Sequence, residues 1–403
     1  MSKTEQIHNL IHRNVSEIIV ASELEKKLNL GERLKVYLGV DPSGADIHLG
    51  HAVVLWKLRQ FQELGHEVIL LIGDFTAQIG DPTGKSKERV PLSHEVVLDN
   101  ARNYKEQAAK ILKFDGNNPA RMLFNSAWLN KLTLKDLIQF ASHLTVQQLI
   151  ERDMFQERIK TGQPIGLHEF IYPLLVGYDC IELNVDVEVG GNDQLFNIKM
   201  GRTLMEKVKN KKKVVLVCDL LTGSDGSKMS KSAGNIISLN SGADDMFGKL
   251  MAIDDELIYE YARLCTDMDD KELLNVAKRL KSNENPRNIK LDLASRVVER
   301  YYAKMGELSK ERWLNAFSKC SASVITVNHN KQTITLPEIV HILNNVIKLS
   351  NSELRRLVEG GAVEVDEKLV EVVGMLKVYN IENAGLKVRI GKKCLATIKY
   401  KDK

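Results

Sequence analysis

Short apolar runs on either side of a helix-length amphipathic stretch define the start of the chain. Residues 34–40 and 67–72 are mostly apolar, as expected for buried strands. Between them, apolar residues recur at helical spacing over 48–64, just before a glycine that can end a helix. A polar loop, Asp41–Ala45, joins the first strand to this helix. The order strand, helix, strand predicts the opening of a parallel α/β sheet.

The pattern further along the chain predicts additional units. Two more strands are expected at 184–189 and 213–218, helices over 243–318, and a short β-prone segment at 323–327. We therefore predict an α/β region at 1–235 with a mostly helical insertion at about 101–163, a helical region at 236–322, a linker at 323–335, and a compact unit of helices and short strands at 336–403.

Composition excludes several classes of protein. A chain of 403 residues, 43% hydrophobic and 27% charged, is typical of a globular protein with two or three domains. Its apolar runs are too short to cross a bilayer, and its first residues lack the apolar core of a signal peptide. The five cysteines are isolated, which indicates neither a zinc site nor a disulfide framework and predicts a cytoplasmic protein. A net charge of +4 is mild, so any nucleic-acid binding must come from local clusters.

Two histidines stand at the start of the predicted first helix. His48 and His51 share one face, and Gly50 between them leaves room for a nucleotide beside the backbone. The free N–H groups and partial positive charge of a helix N-terminus suit phosphate groups. Two histidines on an ordinary helix surface would show the same spacing. The motif therefore indicates a nucleotide site only if a second motif supports it.

A second motif, Lys228–Ser232, lies 180 residues downstream of His48 and follows a loop rich in glycine and serine. Lys228 and Lys231 can hold a departing pyrophosphate, and their charge is worth most in the transition state. Alone, Lys228–Ser232 also fits a solvated basic loop. After His48–His51 it resembles the second half of the ATP site of class I aminoacyl-tRNA synthetases.

Another basic loop follows the second predicted strand. It is not the loop of P-loop proteins, because three residues rather than four separate Gly80 from the Gly84-Lys85-Ser86 sequence. Lys85 and Arg89 fit additional contacts to pyrophosphate, and they equally fit charges exposed to solvent.

Over nearly its whole length the chain resembles the bacterial tyrosyl-tRNA synthetases. The motifs that carry the resemblance are Tyr37–Ser43, His48–His51, Ile79–Pro82, Tyr172–Asp179, Gly190–Gln194 and Lys228–Ser232. The resemblance implies a Rossmann-like catalytic domain and a reaction in two steps. Tyrosine and ATP, with Mg²⁺ held largely by the phosphates, would give tyrosyl-adenylate and pyrophosphate, and tRNA would then accept the tyrosyl group. No permanent cofactor and no resident metal are implied.

The resemblance also implies which residues bind tyrosine. Asp179 would accept the phenolic proton and Tyr37 would donate to the phenol oxygen. Tyr172 and Asp81 would hold the ammonium group. The remaining members of the implied tyrosine site are Gln194, which would orient the substrate carbonyl and the transferring phosphoryl group, and Thr76, which would line the pocket.

The ATP site is implied in the same way. Asp193 would bind the ribose, and Gly50 and Gly191 would let the nucleotide approach the backbone. Asp41 and Ser43 would organise the loop beneath the α-phosphate. The implied catalytic set is His48, His51, Lys228, Lys231, Lys85 and Arg89, and Lys231 also belongs to the implied ATP set.

One position departs from the family pattern. The family usually has glutamine four residues after the tyrosine at 172, whereas this chain has Val176, which cannot form a side-chain hydrogen bond. The ammonium site therefore either has fewer contacts or is completed by another residue.

The carboxyl-terminal unit resembles an S4-type RNA-binding domain. Ser350 can cap a helix, Glu353 can complete a capping box, and Gly360-Gly361 can end the helix. Arg355 and Arg356 would project from that helix toward RNA, and several lysines follow. A solvated basic tail is the alternative interpretation.

Three other functions fit part of the sequence: a tryptophanyl-tRNA synthetase, a non-catalytic RNA-binding paralogue that keeps the S4 unit, and an unrelated α/β nucleotidyltransferase. The resemblance implies a homodimer that binds tRNA across both subunits, with the helical insertion at the interface. Segment 143–155 is amphipathic and is the candidate contact, although it also fits an internal helix.

Overall fold

The computed structural model describes residues 2–83, 92–229, 234–282 and 284–322, and beyond these only short pieces between 324 and 400. The chain divides into two compact units, Met1–Gly306 and Glu307–Lys403. The predicted site residues that lie outside the described residues are Lys85, Arg89, Lys231, Arg355 and Arg356.

A six-stranded sheet forms the centre of the described part of the first unit. Its spatial order is β1-β6-β5-β2-β3-β4, with β1 antiparallel to β6 and every other neighbouring pair parallel. The strands are β1 (Val15–Ile19), β2 (Lys35–Val40), β3 (Glu67–Ile72), β4 (Arg121–Phe124), β5 (Val187–Gly191) and β6 (Val214–Cys218).

Helices cover this sheet, and a further group of helices follows it along the chain. Those around the sheet are α1 (Lys3–His12), α2 (Ala21–Leu30), α3 (Leu49–Glu63), α4 (Thr76–Ile79), α5 (His94–Ala101), α6 (Tyr104–Ala108), α7 (Ser126–Leu129), α8 (Leu134–Ala141), α9 (Val146–Ile150), α10 (Asp153–Lys160), α11 (Leu167–Leu183) and α12 (Leu195–Lys209). Those of the later helical region are α13 (Ala243–Met251), α14 (Ile258–Cys265), α15 (Asp270–Lys281), α16 (Pro286–Tyr301) and α17 (Gly306–Ala322).

The predicted opening β-loop-α-β unit is present. Strands β2 and β3 pair in parallel, and α3 crosses between them with His48 as its N-cap residue. The chain leaves α3 at Gly65, whose φ of 90° lies in the left-handed region that glycine adopts without strain. Every residue of β5 and β6 is buried, and β6 has the continuous apolar sequence expected of a strand buried on both faces.

Two strands of the sheet were not predicted. Strand β1 lies at one edge and pairs with β6, and β4 lies at the other edge within the segment 101–163 that was expected to be mostly helical. Both strands are short, with five and four residues, so their sequences carry little periodicity. The finding matters for function, because the residues just after β4 reach the site.

The helical region after 243 is confirmed by α13 to α16. In the part of the chain that the structure describes, no helix is long and apolar enough to cross a membrane.

The second unit contains two small sheets in its described residues. One sheet has the order β10-β9-β12-β13-β7, and the other pairs β8 with β11. The strands are β7 (Val324–His329), β8 (Thr333–Thr335), β9 (Val363–Val365), β10 (Lys368–Leu369), β11 (Val378–Asn380), β12 (Leu386–Ile390) and β13 (Cys394–Tyr400). Residues 323–335, expected to form a linker, thus contain β7 and β8. Strand β7 pairs in parallel with β13, so this segment contributes to the unit itself.

Candidate active site

A cavity of about 360 Å³ opens where β2 and β5 end. Strand β2 continues the sheet through β3 on one side, whereas β5 continues it through β6 on the other. Ligands of open α/β sheets bind at the carboxyl ends of the strands, where the strand order reverses in this way. The loop after β2 supplies Asp41, and the turn after β5 supplies Asp193 and Gln194.

A chain of hydrogen bonds runs along one wall of the cavity. The Tyr172 hydroxyl donates to Oδ2 of Asp41 over 3.0 Å, and Thr76 donates to Oδ1 of Asp41 over 2.7 Å. Gly73 makes the second contact possible, because a Cβ there would overlap both Asp41 and Thr76. The wall is therefore held in place by side chains from the loop after β2, from α4 and from α11.

The same chain of hydrogen bonds reaches Asp179. The Asn125 amide donates to Thr76 over 3.1 Å and to Oδ2 of Asp179 over 3.1 Å, and the Trp128 indole donates to Oδ1 of Asp179 over 2.7 Å. Burial raises the pKa of Asp179 to about 8, although both donated hydrogen bonds lower it. Burial also raises the pKa of Tyr172 well above its ordinary value, with nearby Asp41 as a further cause. The two donated hydrogen bonds thus fix the orientation of the buried Asp179 side chain.

A buried charged group lies beneath Tyr37. The Tyr37 hydroxyl donates to Oε1 of Glu188 over 2.6 Å and is 2.9 Å from Sγ of Cys180. The Lys213 ammonium contacts the other oxygen of Glu188 in an ion pair, with side chains that are 0% and 5% exposed. Tyr37 and Glu188 are register partners on β2 and β5, so their side chains point to the same face of the sheet.

Asp81 is surrounded by hydrogen-bond donors. Gln194 donates to its Oδ2 over 2.8 Å, and Asn197 donates to its Oδ1 over 3.3 Å. Thr83 adds two more contacts to Oδ1, from its hydroxyl at 2.6 Å and its backbone N–H at 3.0 Å. Val176 lines the same cavity as Asp81 and Gln194.

The two histidines lie at another part of the cavity wall. Their rings are 3.9 Å apart between centroids, and the backbone N–H of His48 donates to Nδ1 of His51 over 3.3 Å. The Leu49 N–H donates to the carbonyl of Ile237 over 2.9 Å, which ties this turn to the segment that follows the lysine-bearing loop. A side chain at Gly50 would lie 3.3 Å from Sδ of Met229, so the two motifs are in close contact.

Lys228 stands where the two motifs meet. Its ammonium is 3.5 Å from Oδ2 of Asp193, with side chains that are 62% and 30% exposed. An exposed pair at this distance contributes little stability, so Lys228 remains available to a phosphate group. The Asn235 amide donates to the Lys228 carbonyl over 3.2 Å and to Asp225 over 2.8 Å, which fixes the backbone of this loop.

Helices α5 and α6 hold the loop between β2 and α3. Asn100 donates to the carbonyl of Pro42 over 3.0 Å, and Tyr104 donates to the carbonyl of Gly44 over 2.6 Å. Gln107 accepts from the Ile47 N–H over 2.7 Å. A loop held at three points can position Asp41 and Ser43 without a bound ligand.

The structure brings the described site residues together around this one cavity. Those that line it are Tyr37, Asp41, Ser43, His48, Gly50, His51, Thr76, Asp81, Tyr172, Asp179, Gly191, Asp193, Gln194 and Lys228. Sequence reasoning missed Asn125, Trp128, Glu188, Asn197 and Lys213, which contact them. The one available signal was a charged residue next to or inside an apolar strand, as at Glu188 and Lys213. Among the described residues, no cluster of His, Cys, Asp or Glu could hold a metal ion.

The family model that matches the chain is described as tRNA synthetases class I (W and Y). The match covers residues 28–319, which is more than half of the chain.

Similar proteins favour the tyrosine (Y) branch of that family over the tryptophan (W) branch. A tyrosine--tRNA ligase of Legionella pneumophila is 44% identical over 360 residues, 88% of each chain. A tyrosine--tRNA ligase of Thermotoga maritima is 40% identical over 403 residues, 98% of this chain and 97% of its own. Among solved structures, a C-terminally truncated mitochondrial tyrosyl-tRNA synthetase of Aspergillus nidulans matches with a TM-score of 0.63 and 22% identity, covering 77% of this chain and 94% of its own. At that identity the solved structure supports the fold alone.

Proposed function

The chain belongs to the class I tRNA synthetases, and within them to the tyrosine--tRNA ligases, and we propose that the cavity between β2 and β5 is where it activates tyrosine. The tyrosine carboxylate attacks the α-phosphorus of ATP, and pyrophosphate leaves. The terminal ribose hydroxyl of tRNA then attacks the carbonyl of the tyrosyl-adenylate, and AMP leaves. No protein nucleophile takes part, so these side chains act by positioning and by electrostatic stabilisation.

One observation carries this proposal. Asp179 and Tyr37 line the deep part of a cavity that His48, His51 and Lys228 line elsewhere. Hydrogen-bonding groups suited to a phenol and positive groups suited to phosphates are thus present in one enclosed space. A tyrosine bound between them would have its carboxylate directed toward the α-phosphate.

The ammonium group of tyrosine requires acceptors. Because Tyr172 donates its hydrogen to Asp41, its oxygen is free to accept from an ammonium group. Asp81 offers negative charge nearby, and the amide oxygen of Gln194, which accepts from Asn197 over 2.9 Å, has a second lone pair to offer. We propose that these three residues bind the ammonium group without a glutamine at position 176.

The nucleotide requires donors and space. Gly50 and Gly191 line the cavity without side chains, and Asp193 stands beside Gly191 to accept from the ribose hydroxyls. His48, His51 and Lys228 would donate to the phosphates. Magnesium would enter with ATP and neutralise the phosphate charge. From sequence alone we add Lys231, Lys85 and Arg89 as pyrophosphate contacts.

ATP–pyrophosphate exchange with each of the twenty amino acids tests the proposal. Exchange with tyrosine, followed by charging of tRNA, is the expected result. Exchange with tryptophan would move the chain to the other branch of the family, and no exchange would leave an RNA-binding paralogue as the remaining interpretation. The names of the relatives support the tyrosine branch over both.

We also propose a homodimer, and the exposure of apolar side chains favours helix α8 over most of segment 143–155 as its interface. Leu149, Arg152 and Phe155 of the candidate segment 143–155 are buried within the unit. Helix α8 instead has no buried residue, with Leu134 at 73% exposure and Ile138 at 61%. An apolar patch of this kind is typical of an interface.

Light scattering of Leu134→Glu/Ile138→Glu tests the dimer. The wild-type chain should have the mass of two copies and the variant that of one. A monomeric wild-type chain would contradict the proposal.

For tRNA, Arg355 and Arg356 remain the proposed contacts of the S4-type unit. Charge reversal at both should weaken tRNA charging and leave pyrophosphate exchange unchanged. We further propose that the protein works in the cytoplasm, and the free thiols of Cys180, Cys218 and Cys265 support a reducing environment.

A further inference from the structure

A buried ion pair joins Glu188 on the central strand β5 to Lys213, the residue just before β6. Charged residues are rarely buried in this way. Lys213 is 0% exposed and Glu188 is 4% exposed. Removing two charges from water is costly, and apolar residues of similar volume often stabilise a core as well or better. The pair therefore needs a reason other than stability.

The packing around the pair makes room for it. A Cβ at Gly201 would lie 2.7 Å from Nζ of Lys213 and 2.9 Å from Sγ of Cys180. A side chain at that position of α12 would displace the ammonium group or the thiol from the place where each contacts Glu188. Sγ of Cys180 donates to Oε2 of Glu188 over 3.4 Å, so this thiol also satisfies the carboxylate.

Tyr37 connects the pair to the cavity. Its hydroxyl has one hydrogen, which is donated to the Glu188 carboxylate over 2.6 Å. A hydrogen bond to a charged acceptor is about twice as strong as one between neutral groups. Lys213 contacts one oxygen of the Glu188 carboxylate, and the Tyr37 hydrogen is donated to the other. That hydrogen therefore points into the protein, and the Tyr37 oxygen, which is also 2.9 Å from Sγ of Cys180, can accept from a ligand.

We propose that Glu188, held by Lys213, is a positioning residue that makes Tyr37 an acceptor, so that the cavity selects a hydrogen-bond donor at the para position of the substrate ring. This inference rests on the proposed binding of tyrosine in this cavity. It reverses the expectation that Tyr37 donates to the phenol oxygen. Tyr37 and Asp179 then both offer oxygen atoms to the same substituent.

A phenol has a single hydrogen to give to these two oxygens, whereas an aromatic amine has two. The arrangement thus extends the substrate class to para-aminophenylalanine, whose uncharged amino group can donate to Tyr37 and Asp179 together. A phenolate has no hydrogen to donate, so a tyrosine that is ionised at the assay pH is a poor substrate.

Pyrophosphate exchange with three amino acids tests the inference. The substrates are tyrosine, para-aminophenylalanine, and a ring-difluorinated tyrosine at a pH where its phenol is ionised and that of tyrosine is not. In the wild-type enzyme, kcat/KM for para-aminophenylalanine should exceed that for the ionised substrate by at least about tenfold, the effect of one hydrogen bond.

The double variant Glu188→Met/Lys213→Met removes both charges and frees the Tyr37 hydrogen to donate into the cavity. The ratio of the two analogues should shift by about tenfold toward the ionised substrate. In a Tyr37→Phe background the same double substitution should not change the ratio. This second comparison separates an effect through the hydroxyl from a direct effect of the Glu188 charge on the substrate.

Three results would overturn the inference: an unchanged ratio in a folded double variant, a shift that persists in the Tyr37→Phe background, or a wild-type enzyme that prefers the ionised substrate. Thermal unfolding shows whether the double variant is folded. If it is not folded, the inference is tested by kcat/KM of the wild-type enzyme for para-aminophenylalanine and for the ionised substrate. Absence of exchange with tyrosine in the wild-type enzyme would instead contradict the proposed function.

Discussion

The indole N–H of Trp128 donates to Oδ1 of Asp179 over 2.7 Å, joining residues that are 51 positions apart. Asn125 donates to the other oxygen of the same carboxylate over 3.1 Å. Both donors follow β4, whereas Asp179 lies on α11. The orientation of Asp179 is therefore set by residues that follow the edge strand β4.

Replacing Trp128 by phenylalanine removes one of these two donors. We expect kcat/KM for tyrosine to fall by about tenfold, because the Asp179 carboxyl group loses a hydrogen bond that orients it. Trp56→Phe is the matched control, since Trp56 donates its N–H to Tyr301 over 3.1 Å and does not line the cavity. Equal effects of the two substitutions in pyrophosphate exchange would contradict a specific role for Trp128.

The pKa of Asp179 predicts a pH dependence of stability. Burial raises that pKa from an unfolded value near 4 to about 8 in the folded protein. Between these values the folded state binds more protons than the unfolded state, so stability is highest below the lower value and falls as pH rises through the upper one.

Urea unfolding between pH 6 and 8 tests this sign. The wild-type free energy of unfolding should fall by about 1 kcal/mol per pH unit relative to Asp179→Asn, which has no carboxyl to titrate. Parallel pH profiles for the two proteins would show that the Asp179 carboxylate is not destabilised by burial.

Val176 lines the cavity together with Asp81 and Gln194, so glutamine at this position is expected to fit. Val176→Gln should be folded and active, with a lower KM for tyrosine, because the amide adds an acceptor for the ammonium group. Val176→Met has nearly the same length without the amide and should not lower KM. A large loss of activity in the glutamine variant alone would show that the pocket is packed around valine.

Lys228 should act mainly on the chemical step. The Lys228 ammonium is largely exposed, so it can contact the phosphates as negative charge develops on them. Lys228→Ala should therefore lower kcat by about 100-fold and change KM for tyrosine little. Lys212→Ala is the control, because Lys212 is an exposed lysine paired with Glu206 over 3.2 Å. An unchanged rate of adenylate formation in stopped-flow measurements would contradict a role for Lys228 in the transition state.

The sequence predicted the parts of the site that lie in continuous motifs. His48, Gly50 and His51 lie within one helical turn, and the structure brings them against Met229 of the second motif. The opening sheet unit was also confirmed, because strands buried on both faces have continuous apolar sequences.

Residues that reach the site from short or distant elements were not predicted. Asn125 and Trp128 follow β4, a strand of four residues whose pattern is too short to recognise. Glu188 and Lys213 are 25 positions apart, and the parallel pairing of β5 with β6 brings them into contact. The Tyr37 hydroxyl donates to Glu188 over 2.6 Å, and the Tyr37–Ser43 motif alone gave no sign of that contact.

The central claim is that Asp179 recognises the phenol of tyrosine. It is tested most directly by kcat/KM in ATP–pyrophosphate exchange with tyrosine and phenylalanine, for the wild-type enzyme and Asp179→Asn. The control is Asp99→Asn, a substitution at an exposed site that is paired with Arg102. We predict that Asp179→Asn lowers the value for tyrosine by about 10- to 100-fold and leaves that for phenylalanine nearly unchanged. A preference for tyrosine that is the same in wild type and Asp179→Asn would contradict the account.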